Sequence, residues 1–431
     1  MVYFNKKIVK ISQAIGRVYY HEDINELIIN WDNVKPLFID IYKDQKLFEN
    51  FIEFLYKNRI LEIVKSNCAL LNDDDLDNVI FRVEKKIMEK RKNVNIDNLS
   101  NVPILLRNQN IMLIKGSALS RLYPDNAKRY QVDADVILRS IDELWEILKI
   151  TSNDYTFDRL KLYTSFEGNL SASLDLEPKN SKKLPIDIHI SPYEIWGSIN
   201  YDIDLWKNAK QLDNGSYVPS YEDTLLMLVG HLATQWMYRI RDINDCYIIL
   251  KNCKLDWRYI YNVGKKYNLL CLLNVLLHKV KEVYGIDYFQ KLYKNNDYSL
   301  KWYEKLFMER NLGIPNVYTS CMLQFTFVYK NYKEKHDIIR SLYEAIRNTK
   351  NLIIYENRAY KINNKLKIKK FNENEIIVLT PKNIQIDFQN VKSEKVLFGT
   401  SLKVVNQGKK NEYFSTPYGT WVQSTYYVND R

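Results

Sequence analysis

Residues 111–138 read IMLIKGSALSRLYPDNAKRYQVDADVIL and join two short apolar runs through a glycine-containing turn. The runs at 111–114 and 132–138 have the length and the β-branched content of buried strands. Between them, Gly116 and Ser117 follow the first strand directly and precede residues with helical spacing. The segment therefore predicts a strand that leads through a turn into a helix, followed by a second strand.

The turn after the first strand is suited to binding an anion. The first N–H groups of a helix have no intrahelical partner, and the helix dipole is positive at this end. Gly116 lets a phosphate approach the backbone, and Ser117 adds a hydroxyl. The Lys115 side chain either points to the phosphate or covers the end of its strand. These three residues are predicted to bind a phosphate group.

Three acidic residues are candidates for metal ligands. Asp133 and Asp135 are two residues apart on a strand, so their carboxylates project from one face, which is costly unless cations neutralise them. Asp187 is central in the alternating sequence LPIDIHISP and shares a face with His189. Oxygen ligands without cysteine favour Mg²⁺ or Mn²⁺. Asp133, Asp135 and Asp187 are therefore predicted to be metal ligands and catalytic residues of a two-metal phosphoryl-transfer site.

Four further polar side chains each allow two interpretations. His189 is predicted to support a ligand carboxylate by a hydrogen bond, with general-base catalysis as the alternative. Arg129 is predicted to clamp a nucleotide with its planar guanidinium, with a solvated loop arginine as the alternative. Arg239 and Arg241 lie in MYRIRDINDCYIIL, where they either form ion pairs along a helix or reach a triphosphate.

The periodicity of the whole chain predicts an α+β protein. Residues 1–100 have helical spacing, 101–215 contain the strands, and 216–348 return to helical spacing after a capping box formed by Ser220 and Asp223. Residues 349–431 are short alternating runs broken by Asn, Pro and Gly. The predicted architecture is a small mixed β-sheet domain flanked by helical domains, with a C-terminal all-β module.

Composition narrows the class of protein further. The 431 residues are 46% hydrophobic, which predicts several globular domains, and the longest apolar stretch is too short for a membrane span. Five scattered cysteines indicate neither a disulfide framework nor a cysteine zinc site, so a cytoplasmic protein is expected. The abundance of Lys, Asn, Ile and Tyr is typical of an AT-rich bacterial genome. The net charge of +11 suits phosphate-bearing partners, and residues 351–431, with 13 basic and 7 acidic side chains, contribute much of it.

Gly116-Ser117, followed by Asp133-x-Asp135 and a later strand acid, resembles the signature of the polymerase-β-type nucleotidyltransferase superfamily. More narrowly, the chain is similar to a largely uncharacterised bacterial nucleotidyltransferase branch that often accompanies peptide natural-product gene clusters. The residues that carry this second likeness are Lys115-Gly116, Arg129, Asp187-x-His189, and a helix with His231 before Arg241 and Asp245. The resemblance covers roughly residues 100–250.

The resemblance implies a role for each matched position. Asp133 and Asp135 would bind both metal ions, and Asp187 would bind the catalytic ion and help to deprotonate the acceptor hydroxyl. Gly116 and Ser117 would hold the β- and γ-phosphates. The implied reaction is Mg²⁺- or Mn²⁺-dependent transfer of a nucleoside monophosphate from an NTP, with ATP as the expected donor and pyrophosphate as the product.

The acceptor is open at this point. The branch implies the hydroxyl or a similar nucleophile of a small molecule or biosynthetic peptide, whereas the basic C-terminal region suits an RNA end, as in a transfer-RNA-modifying toxin. Transfer of the γ-phosphate and a catalytically silent binding protein are further alternatives. The presence of all three strand acids argues against loss of activity.

Overall fold

The structure is a computed structural model of the chain. It describes residues 5–19, 23–73, 76–91, 111–124, 127, 129, 131, 133–139, 143, 147, 151, 154–164, 170–179, 183–189, 204–235, 237–267, 269–293, 300–313, 319, 322, 375–381, 401–404, 413–416 and 419–427. These residues form 12 α-helices and 11 β-strands, which confirms the predicted α+β class. In the described part of the chain no helix combines the length and the apolar character that crossing a bilayer requires.

The chain forms two compact units, each built from three separate segments. The first unit comprises residues 1–96, 115–132 and 220–323, and the second comprises residues 97–114, 133–219 and 324–431. The segment 111–138 therefore contributes Gly116 and Ser117 to the first unit and its acidic residues to the second. The four predicted domains remain a prediction.

The first unit begins with five helices around an apolar core. They are α1 (Lys6–Ile15), α2 (Ile24–Tyr42), α3 (Gln45–Lys57), α4 (Leu61–Leu71) and α5 (Asp77–Arg91). The side chains of Asn5 and Asp44 accept hydrogen bonds from the first N–H groups of α1 and α3, as N-caps do. Phe38 and Phe51 pack edge to face in the core, which Ile240 from a later helix joins.

Seven more helices lie in the described part of the first unit. They are α6 (Lys115–Leu119), α7 (Tyr221–Gln235), α8 (Ile240–Asn252), α9 (Trp257–Lys266), α10 (Leu270–Tyr284), α11 (Phe289–Tyr293) and α12 (Trp302–Arg310). The predicted cap before α7 is confirmed, because Ser220 Oγ accepts from the Asp223 N–H at 3.1 Å. Every residue of α8 from Ile240 to Leu250 is buried, polar ones included, so this helix brings charged side chains into the interior.

The second unit contains a mixed sheet. Its strands are β1 (Ile111–Leu113), β2 (Ala134–Leu138), β3 (Tyr155–Thr164), β4 (Leu170–Pro178), β5 (Ile186–His189), β6 (Lys210–Gln211), β7 (Tyr217–Val218), β8 (Glu375–Pro381), β9 (Ser401–Val404), β10 (Tyr413–Thr416) and β11 (Gly419–Tyr427). The order is β10-β11-β8-β9-β3-β4-β5-β2-β1-β7-β6. The β2–β5 and β1–β7 pairs are parallel and the other pairs are antiparallel.

Some of the predicted elements lie outside the described residues. These are the end of the predicted helical region, residues 323–348, and the parts of the C-terminal region other than 375–381, 401–404, 413–416 and 419–427. The described strands β8 to β11 join the sheet through the pairing of β9 with β3. That residues 349–431 form a separate all-β module remains a prediction.

Candidate active site

The register of the sheet brings two of the predicted acids together. β2 and β5 are parallel neighbours, and Asp135 is paired directly with Asp187. Residues that pair across neighbouring strands project from the same face, and His189, two residues along β5, shares it. On β5 the alternate residues Ile186 and Ile188 are buried. This alternation holds the polar side chains on one face of the sheet.

Asp135, Asp187 and His189 form a cluster with the geometry of a cation site. The Nε2 atom of His189 lies 3.3 Å from Asp187 Oδ2 and 3.6 Å from Asp135 Oδ1. One potential ligand atom from each residue lies within 4.8 Å of the other two. Ligands bound about 2.1 Å from one cation lie roughly 3 to 4 Å from each other. These three side chains therefore fit a divalent cation, which would offset the repulsion between the carboxylates.

The cluster differs from the predicted ligand set in one member. Asp133 lies in a bend just before β2, is half-buried, and is not part of the three-residue group. His189 contributes a nitrogen instead. Carboxylates suit Mg²⁺ and Mn²⁺, and an imidazole extends the suitable ions to Fe²⁺ and Zn²⁺. The hydrogen bond from His189 to a ligand carboxylate remains a prediction.

A further carboxylate on this face was not singled out from the sequence. Asp175 on β4 pairs with Asp187 in the antiparallel β4–β5 register and is half-buried. Asp175, Asp187 and Asp135 therefore form a row across three adjacent strands. The alternation in SASLDLEP indicates a strand. The pairing of this strand with β5, which brings Asp175 beside Asp187, could not be derived from the sequence.

The predicted phosphate-binding turn lies in the first unit. The first strand ends at Leu113, and Lys115 begins the five-residue helix α6 with a left-handed backbone, at φ +47°. Such a conformation is strained for a residue with a side chain. Gln131 Nε2 donates to the Gly116 carbonyl at 2.7 Å. The Ser117 side chain is buried, and its hydroxyl has no hydrogen-bond partner among the described residues.

Gly116 is needed where it stands because Arg129 lies against it. A Cβ atom on Gly116 would overlap the Nη1 atom of the Arg129 guanidinium, and Arg129 is held by two bonds to Asp245. The guanidinium therefore cannot move aside cheaply. Packing against Arg129 therefore requires a glycine at position 116, whereas the approach of a phosphate to this glycine remains a prediction.

Gly116→Ala is expected to lower the free energy of unfolding by about 1–3 kcal/mol, the usual cost of overpacking a rigid site. Chemical denaturation of the full chain measures it. Arg121→Ala, at an exposed position in the same segment, is the matched control and is expected to cost less than about 0.5 kcal/mol. Equal stability of the two variants would show that Arg129 yields easily.

A buried ion pair joins this segment to α8. Asp245, fully buried, accepts hydrogen bonds from Arg129 Nε at 2.7 Å and Nη2 at 2.8 Å, and from the Tyr123 hydroxyl at 2.6 Å. Burial acts to lower the pKa of Arg129, but Asp245 outweighs it and keeps that pKa above its ordinary value. Burial, followed by the charge of Asp245, raises the pKa of Tyr123 well above its usual range. The interpretation of Arg129 as a solvated loop residue is therefore wrong.

The ion pairs predicted along α8 are present. Arg239 and Asp242 approach to 4.0 Å, Arg241 and Asp245 to 3.9 Å, and Arg241 Nη2 lies 3.2 Å from Asp242 Oδ1. Burial acts to raise the pKa of Asp242, but Arg241 and Arg239 outweigh it, so this pKa lies below its ordinary value. His231 on α7 is half-buried and acts on Asp242 in the same direction. A contact of either arginine with a triphosphate remains a prediction.

The family of the chain follows from a comparison with known proteins. A family model described as uncharacterised nucleotidyltransferase matches residues 50–285, more than half of the 431 residues. The chain belongs to this nucleotidyltransferase family, which confirms the resemblance to that class of enzyme. No curated protein and no solved structure matches the chain. The matched range includes all the residues predicted to form the site.

Proposed function

We propose that the protein is a metal-dependent enzyme that transfers a nucleoside monophosphate from an NTP to an acceptor nucleophile and releases pyrophosphate. Membership of a nucleotidyltransferase family supports the transfer. The observation that carries the metal dependence is the convergence of Asp135, Asp187 and His189 on one face of the sheet. Nucleotidyl transfer needs negative charge on the phosphates to be neutralised, and this cluster is suited to holding a divalent cation.

The two carboxylates of the cluster are proposed to have different tasks. When bound, a divalent cation stabilises the charge that develops on the transferred phosphate. The side chain of Asp135 is only 12% exposed and is suited to holding the cation in place. Asp187 is 31% exposed and is proposed to accept the proton of the acceptor hydroxyl. In the same step the hydroxyl oxygen bonds to the α-phosphorus, and the bond from the α-phosphorus to the β-phosphate oxygen breaks. Asp133 is retained in the proposal as a further ligand.

In the first unit, Lys115, Gly116, Ser117 and Arg129 are proposed to bind the phosphates of the NTP. The Ser117 hydroxyl is buried and has no partner among the described residues, so it has a hydrogen bond to give. The Arg129 guanidinium uses Nε and Nη2 for Asp245, while Nη1 lies at Gly116. A guanidinium held in this way binds an oxyanion with little loss of conformational entropy.

ATP and a small-molecule or peptide acceptor are the first candidates for the substrates. The test uses the purified full chain with each of the four NTPs, Mg²⁺, Mn²⁺ or Zn²⁺, and separate pools of small molecules, peptides and total RNA. We expect metal-dependent release of pyrophosphate that EDTA abolishes, with a nucleotide mass added to one pool. Release of inorganic phosphate would instead indicate γ-phosphate transfer. No metal-dependent reaction in any pool would contradict the proposal.

RNA is the second candidate acceptor, because residues 351–431 carry 13 basic and 7 acidic side chains. Each phosphate contact contributes a slope of about −0.7 to a plot of log affinity against log salt concentration for a single strand. RNA binding at increasing salt therefore separates the two acceptors. A steep fall, equivalent to several phosphate contacts, supports RNA, and a flat profile supports a small molecule or peptide.

A further inference from the structure

Gln131 is a buried side chain in the first unit with one end of its amide bonded and the other not. Its Nε2 atom donates to the Gly116 carbonyl at 2.7 Å. Because a carbonyl can only accept, this bond fixes which end of the amide is nitrogen. The other end, Oε1, is buried and has no hydrogen-bond partner among the described residues, and Gln131 as a whole is 5% exposed. Gln131 therefore has a buried acceptor oxygen that could take a hydrogen bond from a ligand.

A second unsatisfied polar atom is the hydroxyl oxygen of Ser117, the residue after the glycine to which Gln131 is bonded. Ser117 follows Gly116 and is 3% exposed, and its hydroxyl also has no partner among the described residues. Buried polar groups are nearly always hydrogen-bonded, because leaving them unsatisfied is costly. Both groups belong to the surroundings of the Gly116–Ser117 peptide, since Gln131 is bonded to its carbonyl and Ser117 is one of its two residues. The strained backbone of Lys115 directly precedes this peptide. This combination is typical of a site that binds a ligand.

The two atoms differ in what they can bind. A serine hydroxyl can donate to a phosphate oxygen, whereas an amide oxygen only accepts. The triphosphate, ionised at neutral pH, offers no proton to Gln131. The groups of a nucleotide that donate are the ribose hydroxyls and the amino groups of the base. The ribose is bonded directly to the phosphates, so its hydroxyls reach a site beside a phosphate-binding serine more readily than the base edge does.

We propose that Gln131 Oε1 accepts a hydrogen bond from a ribose hydroxyl of the bound NTP, and that Gln131 thereby selects ribonucleotides over one of the deoxynucleotides. This inference rests on the proposed function, because it takes the ligand at Gly116 and Ser117 to be a nucleotide. Gln131 has a second task in the same site, since its Nε2 holds the Gly116 carbonyl. The bond to the sugar and the support of the turn are separable by experiment.

The test measures binding of ATP, 2′-deoxyATP and 3′-deoxyATP to the full chain by calorimetry, with Ca²⁺ in place of Mg²⁺ to suppress turnover. If ATP does not bind, the same three forms of GTP, CTP and UTP are used. We expect the wild type to bind one deoxy form about tenfold more weakly, the usual effect of losing one hydrogen bond. Gln131→Met is expected to bind the ribonucleotide about tenfold more weakly and to lose the discrimination.

Gln131→Glu is the matched control, because it keeps an acceptor oxygen and is expected to keep the discrimination even if all three nucleotides bind more weakly. Equal weakening of all three by Gln131→Met, with the discrimination retained, would show that Gln131 only supports the turn and would overturn the inference. A wild type that binds the three equally would overturn it without any variant. Binding of no nucleotide by the wild type would overturn the proposed function as well.

Discussion

Replacing Asp135 and Asp187 together by asparagine is expected to abolish nucleotidyl transfer and to leave the fold intact. Asparagine keeps the size of the side chain but removes the two negative charges that a cation requires. Losing a single preorganised electrostatic group costs on the order of 10²–10³ in kcat, so the double variant should lose about 10³-fold or more. The free energy of unfolding should not fall, because the two carboxylates repel each other in the absence of a cation.

Pyrophosphate release and thermal melting measure the two parts of this prediction. The matched control is Asp213→Asn, an exposed carboxylate in the turn between β6 and β7 of the same unit, which is expected to keep full activity and stability. Titration with Mn²⁺, followed by its paramagnetic signal, should show weaker binding by the double variant alone. Losing even one such group costs more than tenfold in kcat. A double variant that kept more than about a tenth of the wild-type activity would therefore show that the reaction occurs elsewhere.

The strands of the candidate site could be predicted because each leaves a local pattern. The apolar runs at 111–114 and 132–138 and the alternation at 184–190 correspond to β1, β2 and β5. Alternation also placed Asp187 and His189 on one face before any strand pairing was known. In the same way, the spacing of three and four residues along 238–250 predicted ion pairs that the structure contains.

The other parts of the site depend on contacts between residues distant in sequence. Asp175 gains its importance from the register of β4 against β5, and a one-residue change in register would turn it to the other face. The partner of Arg129 is Asp245, 116 positions away. Nothing in the segment around Gln131 indicates that its amide is bonded to Gly116. Local periodicity contains no information about such pairs, so these contacts had to come from the structure.

Asp245→Ala is expected to be among the most destabilising single substitutions in the first unit. It removes a fully buried carboxylate and leaves the Arg129 guanidinium and the Tyr123 hydroxyl without their acceptor. Breaking a buried ion pair in this way costs about 3–5 kcal/mol of unfolding free energy. Chemical denaturation measures the loss. Asp256→Ala, which removes the N-cap of α9, is the control and is expected to cost only about 1 kcal/mol.

Removing both partners separates the structural task of the pair from its proposed part in binding. Arg129→Met with Asp245→Leu replaces the pair by apolar groups of similar size, and such replacements are often neutral or stabilising by about 1–4 kcal/mol. The double variant is therefore expected to be more stable than Asp245→Ala and to bind NTP weakly, because Nη1 of Arg129 is absent from Gly116. A stable double variant with unchanged NTP affinity would show that the role of Arg129 is purely structural. A double variant less stable than Asp245→Ala would show that apolar side chains cannot fill the site.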